Sequence, residues 1–120
     1  MLRGTPRRDR ICGFGGNDNI RGMGGNDIIF GGPGNDWIAG GRGNDQLRGN
    51  AGRDVLLGLS GADRLVGGAG RDRLYGGGGS DRLSALDGKR GDRISGGRGR
   101  DRAYADRGDR VRTTERLRRR

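Results

Sequence analysis

Residues 31–48 read GGPGNDWIAGGRGNDQLR, which is two consecutive copies of a nine-residue unit. The unit is G-x-x-G-x-D-x-(I/L)-x, and it continues in both directions without a gap over residues 13–84. The 30 Gly residues and the apolar content of only 28% would by themselves favour disorder. A disordered chain, however, does not require an Asp at every ninth position. The period therefore predicts a repeat architecture.

The residue types in the unit predict a loop followed by a very short strand. Glycines permit a tight turn with positive φ, and Asp-x-(I/L)-x suits a strand with one apolar side chain directed inward. Each repeat reverses the chain once, so two repeats make one coil, and consecutive coils pair as parallel strands about 4.8 Å apart. The predicted fold is an all-β parallel β-roll, a right-handed solenoid with two nonapeptide repeats in each 18-residue coil.

This stacking places the aspartates of successive coils next to one another. Two carboxylates about 5 Å apart repel by roughly 3 kcal/mol at an effective dielectric constant near 20. A hard cation that takes six to eight oxygen ligands removes this repulsion, and Ca²⁺ accepts carboxylate and carbonyl oxygens with flexible geometry, whereas Mg²⁺ demands near-octahedral geometry. The chain has no His and only one Cys, Cys12, which does not favour zinc or copper. The sequence therefore predicts calcium, and we expect calcium binding to be the folding step of a largely unfolded metal-free chain.

The unit resembles the calcium-binding nonapeptide of the RTX (repeats-in-toxin, haemolysin-type) family. The resemblance implies that each ion lies between loops of adjacent coils and takes Asp side chains and backbone carbonyls from repeats n and n+2. Eight regular loops then imply about six calcium ions, held by the pairs Asp18/Asp36, Asp27/Asp45, Asp36/Asp54, Asp45/Asp63, Asp54/Asp72 and Asp63/Asp81.

The candidate metal-site residues are the Asp of each regular loop and the Gly at its first and fourth positions. The aspartates are Asp18, Asp27, Asp36, Asp45, Asp54, Asp63, Asp72 and Asp81. The first-position glycines are Gly13, Gly22, Gly31, Gly40, Gly49, Gly58, Gly67 and Gly76, and the fourth-position glycines are Gly16, Gly25, Gly34, Gly43, Gly52, Gly61, Gly70 and Gly79.

The sequence departs from the regular unit at several points. The second loop position, where the family prefers Gly, holds Phe14, Met23, Asn50 and Leu59, so we expect strained backbone angles there. After residue 84 the period breaks, and Ala85-Leu86 is interpreted as a two-residue insertion. The predicted organisation is a lead-in with one degenerate repeat (1–12), the calcium-binding roll (13–84), degenerate repeats or a cap (85–112) and a basic disordered tail (113–120).

The sequence contains no constellation of residues that would support catalysis, so we predict that the protein is not an enzyme. The resemblance implies a secreted structural or adhesive module that folds with extracellular calcium, although no signal peptide and no membrane-spanning run is visible. The net charge of +10 leaves one alternative open. In that alternative the chain is a Gly/Arg-rich protein that binds nucleic acid or another polyanion, such as an anionic cell-surface polymer, through its Arg-rich C-terminal third.

Overall fold

The computed structural model describes residues 2–87 and 91–112, together with the backbone of 116–119. The described chain forms two seven-stranded parallel sheets, and consecutive strands alternate between them. Sheet A contains β1 (Leu2–Arg3), β3 (Asn19–Arg21), β5 (Trp37–Gly41), β7 (Val55–Leu59), β9 (Arg73–Tyr75), β11 (Arg93–Ser95) and β13 (Arg110–Arg112). Sheet B contains β2 (Arg10–Cys12), β4 (Ile28–Phe30), β6 (Gln46–Arg48), β8 (Arg64–Val66), β10 (Arg82–Ser84), β12 (Arg102–Ala105) and β14 (Arg116–Arg119).

The pairing register follows the sequence period. Ile20 pairs with Ile38, and Ile38 pairs with Leu56, so neighbouring strands of sheet A are 18 residues apart. The same offset joins Ile29 to Leu47 in sheet B. The two sheets and this offset confirm the predicted parallel β-roll. Among the described residues, no helix is long and apolar enough to cross a membrane.

The core consists of one aliphatic side chain from each repeat, enclosed between the two sheets. In a three-residue strand the middle side chain points to one face and its neighbours point to the other, so each strand of this length directs only its central residue into the core. The fully buried side chains are Ile20, Ile29, Ile38, Leu47, Leu56, Leu65, Leu74 and Leu83, and the cluster continues with Ile94 and the smaller Ala85, Ala103 and Ala105. Burial of each Ile or Leu contributes about 1.5–3 kcal/mol.

The insertion after residue 84 lengthens one coil without ending the roll. Arg73 pairs with Arg93 and Arg82 with Arg102, so the offset across the insertion is 20 residues instead of 18. Ala85 is buried in the core and Leu86 is exposed, so one inserted residue packs inside and the other faces solvent. Of the segment predicted to be a disordered tail, 113–115 and 120 lie outside the described residues, and 116–119 form β14.

The strained backbone predicted at the second loop position is confirmed. Within the part of the chain that the structure describes, the four non-glycine residues with positive φ are Phe14 (63°), Met23 (75°), Asn50 (69°) and Leu59 (72°). Glycines at the same position of other loops, such as Gly32 (84°) and Gly68 (85°), adopt the same conformation. The turn therefore requires the left-handed region whichever residue occupies it, and a side chain there is unfavourable by roughly 1–2 kcal/mol.

Asparagine before the aspartate joins the loops of successive coils in the first half of the chain. The side-chain oxygen of Asn17 accepts a hydrogen bond of 2.8 Å from the backbone N–H of Asn35, and Asn35 does the same for Arg53. Asn26 and Asn44 form the equivalent series on the other edge. Along the edge that contains Asn17 and Asn35, the later loops have Arg53 and Arg71 at the position before the aspartate, and both side chains are exposed.

Candidate metal centre

The aspartates of the repeat form two columns, one along each edge of the roll. In every described coil the backbone N–H of one Asp donates a hydrogen bond to Oδ1 of the Asp in the next coil, with distances from 2.6 to 3.1 Å. One column contains Asp9, Asp27, Asp45, Asp63, Asp81 and Asp101; the other contains Asp18, Asp36, Asp54, Asp72, Asp92 and Asp109.

In nine of these aspartates the second carboxylate oxygen, Oδ2, is buried and has no hydrogen-bond partner. Asp27 and the aspartates that follow it in both columns are at most 4% exposed, so solvent does not reach their side chains. The atoms without a partner include Oδ2 of Asp18, Asp27, Asp36, Asp45, Asp54, Asp63, Asp72, Asp81 and Asp92. A buried, unpaired carboxylate oxygen is strongly unfavourable. A repeated set of such atoms indicates that a group outside the chain binds them.

The first glycine of each loop keeps the space beside this oxygen open. A Cβ placed on Gly13 would lie 2.6 Å from Oδ2 of Asp18 and 2.7 Å from the carbonyl oxygen of Gly31 in the next coil. A Cβ on Gly58 would likewise lie 2.5 Å from Oδ2 of Asp63 and 2.7 Å from the carbonyl oxygen of Gly76. Any other residue would fill the position where these oxygens converge. The geometry therefore explains why the first loop position is always Gly.

The electrostatics of the columns favour a cation or protonation. Desolvation raises the pKa of the buried carboxyl groups, and the neighbouring carboxylates of the same column raise it further, while the hydrogen bond from the preceding Asp N–H lowers it. The pKa is raised to about 8 for Asp54 and Asp63, to about 7 for Asp72 and Asp81, and to about 6 for Asp45 and Asp92. The pKa values of Asp27 and Asp36, nearer the N-terminal end, are also raised.

The donor set fits a hard divalent cation. Carboxylate Oδ2 atoms and backbone carbonyl oxygens are the ligands that Ca²⁺ prefers. No group of three or more His, Cys, Asp or Glu side chains converges on one point within the described residues. A metal in this roll would therefore rely on carbonyl oxygens as well as on the two aspartates of adjacent coils. Such mixed ligation suits calcium better than magnesium.

Comparison with protein families assigns the repeat. The model of the RTX calcium-binding nonapeptide repeat, which spans four copies, matches residues 12–47, 30–65, 48–83, 57–91 and 86–109. The chain belongs to the RTX calcium-binding repeat family. Comparison with curated proteins and with solved structures found no significant match. Membership confirms the resemblance seen in the sequence and implies calcium binding by the stacked, Asp-containing loops.

The structure brings together the predicted RTX aspartates in the predicted pairs, so Asp18 adjoins Asp36 and Asp45 adjoins Asp63. It also adds residues that the sequence prediction left out, because Asp92, Asp101 and Asp109 continue the two columns. One signal was available in the sequence. Residues 96–101 read GGRGRD, which matches the full loop pattern even though the preceding insertion shifts its register.

Proposed function

We propose that this chain is an extracellular structural or adhesive module whose folding depends on calcium and which carries out no catalysis. The observation that carries the proposal is the buried, unpaired Oδ2 in nine successive loops. In the metal-free roll these carboxylates oppose folding, and in the calcium-loaded roll they are ligands. Calcium at the millimolar concentration of extracellular fluid fills sites with dissociation constants of about 10⁻⁴–10⁻³ M, so secretion would itself start folding.

The regular loops provide about six ions through the pairs from Asp18/Asp36 to Asp63/Asp81. The continuation of both columns supports two further sites, Asp72/Asp92 and Asp81/Asp101, across the insertion. The role of the fold is then mechanical, since a roll of two short-stranded sheets becomes rigid only when its loops are held together.

The test is a calcium titration of the calcium-stripped chain followed by far-UV circular dichroism, with magnesium as the control ion. We expect a cooperative gain of β-structure with calcium and none with magnesium. A chain that stays unstructured up to about 10 mM calcium, well above the extracellular range, would contradict the proposal.

A matched pair of variants locates the effect in the column. Asp63 lies between Asp45 and Asp81, so Asp63→Asn removes a carboxylate shared by two adjacent pairs. Asp9 lies at the partly exposed end of the column and is bonded to Thr5. We expect Asp63→Asn to reduce the number of bound ions and to raise the calcium concentration at the midpoint, and Asp9→Asn to change neither substantially.

A further inference from the structure

Arginines on the outer surface of sheet A stand in register along the axis of the roll. The outward residue that begins each strand is Arg73 in β9, Arg93 in β11 and Arg110 in β13, and the structure pairs these three positions directly. All three side chains are exposed. Because neighbouring strands lie about 4.8 Å apart, these arginines extend from the sheet at regular intervals, one row for each strand.

Two grooves join these rows to further arginines. One groove, of about 360 Å³, is lined by Arg53, Arg71, Arg73 and Arg93. The next, of about 320 Å³, shares Arg93 and adds Arg110 and Arg112. We call the six residues Arg53, Arg71, Arg73, Arg93, Arg110 and Arg112 the basic track.

The basic track has no acidic partner within the described part of the chain, where none of its guanidinium groups forms an ion pair. Like charges directly opposite each other on neighbouring strands are destabilising. The carboxylates that line the first groove, Asp54 and Asp72, are buried in the calcium columns, where bound calcium would neutralise them. An external anion would therefore relieve repulsion that the protein itself leaves uncompensated.

The equivalent groove on sheet B differs from the track in its loop positions. It is lined by Arg64 and Arg82, which stand in register with Arg102. Its loop positions, however, hold Asn44, Ala62 and Ser80, whereas the first groove of sheet A has Arg53 and Arg71 there. The two sheets have the same backbone architecture. An outward row of arginine therefore occurs on both sheets, and the loop arginines Arg53 and Arg71 distinguish the track on sheet A.

We propose that the basic track binds a linear acidic polysaccharide that carries one carboxylate or sulfate on each sugar residue. The spacing of the rows, about 4.8 Å, is close to the length of one sugar residue in an extended chain, so successive anionic groups meet successive rows. The planar guanidinium fork matches a carboxylate or sulfate with two parallel hydrogen bonds. Tyr75, which is 38% exposed and borders the second groove, provides a ring surface for a sugar.

Nucleic acid fits this surface less well. The grooves of a duplex admit a helix or a two-stranded ribbon, whereas the track lies on the broad surface of a seven-stranded sheet. Single strands are bound by successive aromatic platforms, and Tyr75 is the one aromatic residue in the two grooves that form the track.

The test measures binding of short oligogalacturonate, which has one carboxylate on each sugar, to the full chain in excess calcium. The track variant is Arg71→Ala/Arg73→Ala, and the control is Arg64→Ala/Arg82→Ala, which loses the same charge from sheet B. We expect the track variant to bind about tenfold more weakly, equivalent to two exposed ion pairs that together contribute about 1.4 kcal/mol. The control should bind within about twofold of the unchanged chain, because the row of Arg64 and Arg82 has no loop arginine beside it to complete a track.

Three results would overturn the proposal. Equal weakening in both variants would mean that the ligand responds only to net charge. Equal binding of methyl-esterified oligogalacturonate would mean that the carboxylates are not recognised. Tighter binding of a single-stranded oligonucleotide, weakened by the track variant, would assign the surface to nucleic acid. Circular dichroism with calcium, recorded for each variant, separates this inference from the proposed function: a roll that folds normally but binds no oligosaccharide contradicts only the inference.

Discussion

Acidification should increase the β-structure of the calcium-stripped chain, although acid ordinarily destabilises proteins. The buried columns raise the pKa of Asp54 from 3.8 to about 8, mainly through desolvation. A group whose pKa is raised in the folded state favours folding at low pH, and this contribution is lost as the pH rises through the folded-state value. The metal-free roll is thus opposed by its own carboxylates at neutral pH.

The magnitude is large compared with the stability of a domain. At pH 7.5 the shift at Asp54 makes folding of the metal-free chain less favourable by about 5 kcal/mol, and at pH 5 by about 2 kcal/mol. Asp63 has a pKa of about 8 as well and contributes a similar amount. Since a native domain is stable by only 5–15 kcal/mol in total, a cost of this order from two groups strongly opposes folding of the metal-free chain at neutral pH.

The assay is far-UV circular dichroism of the calcium-stripped chain between pH 7.5 and pH 5. We expect β-structure to rise on acidification, with a gain of about 3 kcal/mol from each of Asp54 and Asp63. The variant Asp54→Asn/Asp63→Asn keeps the Oδ1 acceptors but has no charge to lose, so its β-structure at pH 7.5 should already be higher and its pH response smaller. In calcium the direction reverses, because protons then compete with the ion for the same oxygens.

The reasoning would be refuted if the metal-free signal were unchanged or decreased between pH 7.5 and pH 5 while the double variant gained nothing at pH 7.5. That pair of results would show that the columns do not oppose folding. The roll would then be stabilised by its strands and core alone, and calcium would be an accessory ligand.

Three further changes test the loops and the core. Leu59→Gly should lower the calcium midpoint and stabilise the loaded roll by about 1–2 kcal/mol, measured by urea unfolding, because φ at this position is 72°. Gly34→Ala should raise the midpoint, since φ there is 109° and a Cβ would meet the backbone of the preceding coil, whereas Gly78→Ala, with open space around it, should be nearly neutral. Leu65→Ala should destabilise the loaded roll by about 2–5 kcal/mol through a core cavity, and the exposed Val66→Ala should change its stability little.

The sequence was sufficient to predict the fold because every structural requirement recurs with the same period. One Ile or Leu in each repeat specifies the core, and Asp specifies the columns. Even the left-handed conformation of Phe14 and Leu59 could be anticipated, since it is required by the loop and not by the residue. A repeat supplies many copies of each constraint, so an irregular copy does not obscure the pattern.

The features that the sequence did not predict are those that depend on strand pairing across the two-residue insertion after residue 84. Counting by nine loses the register after residue 84, so it does not show that Asp92 continues the column of Asp72. It also does not show that Arg73 stands beside Arg93, because their separation is 20 residues. In the structure the two added residues lie between strands and leave the strand pairing intact. The spacing of residues in the sequence does not predict this arrangement, because it depends on packing in three dimensions.

Inward-facing and outward-facing residues of the repeat meet different structural requirements, and this difference explains how a binding surface can arise on a calcium-dependent roll. The inward aliphatic residue and the loop Asp are fixed by the core and by the columns. The residues on either side of the inward residue point to solvent, so they vary from Asn19 and Trp37 at one end of sheet A to Arg73 and Arg93 at the other without changing the fold. On the two proposals made above, calcium would provide the rigidity and the outward rows the specificity, so the arginine variants should alter oligosaccharide binding while leaving the calcium concentration at the folding midpoint unchanged.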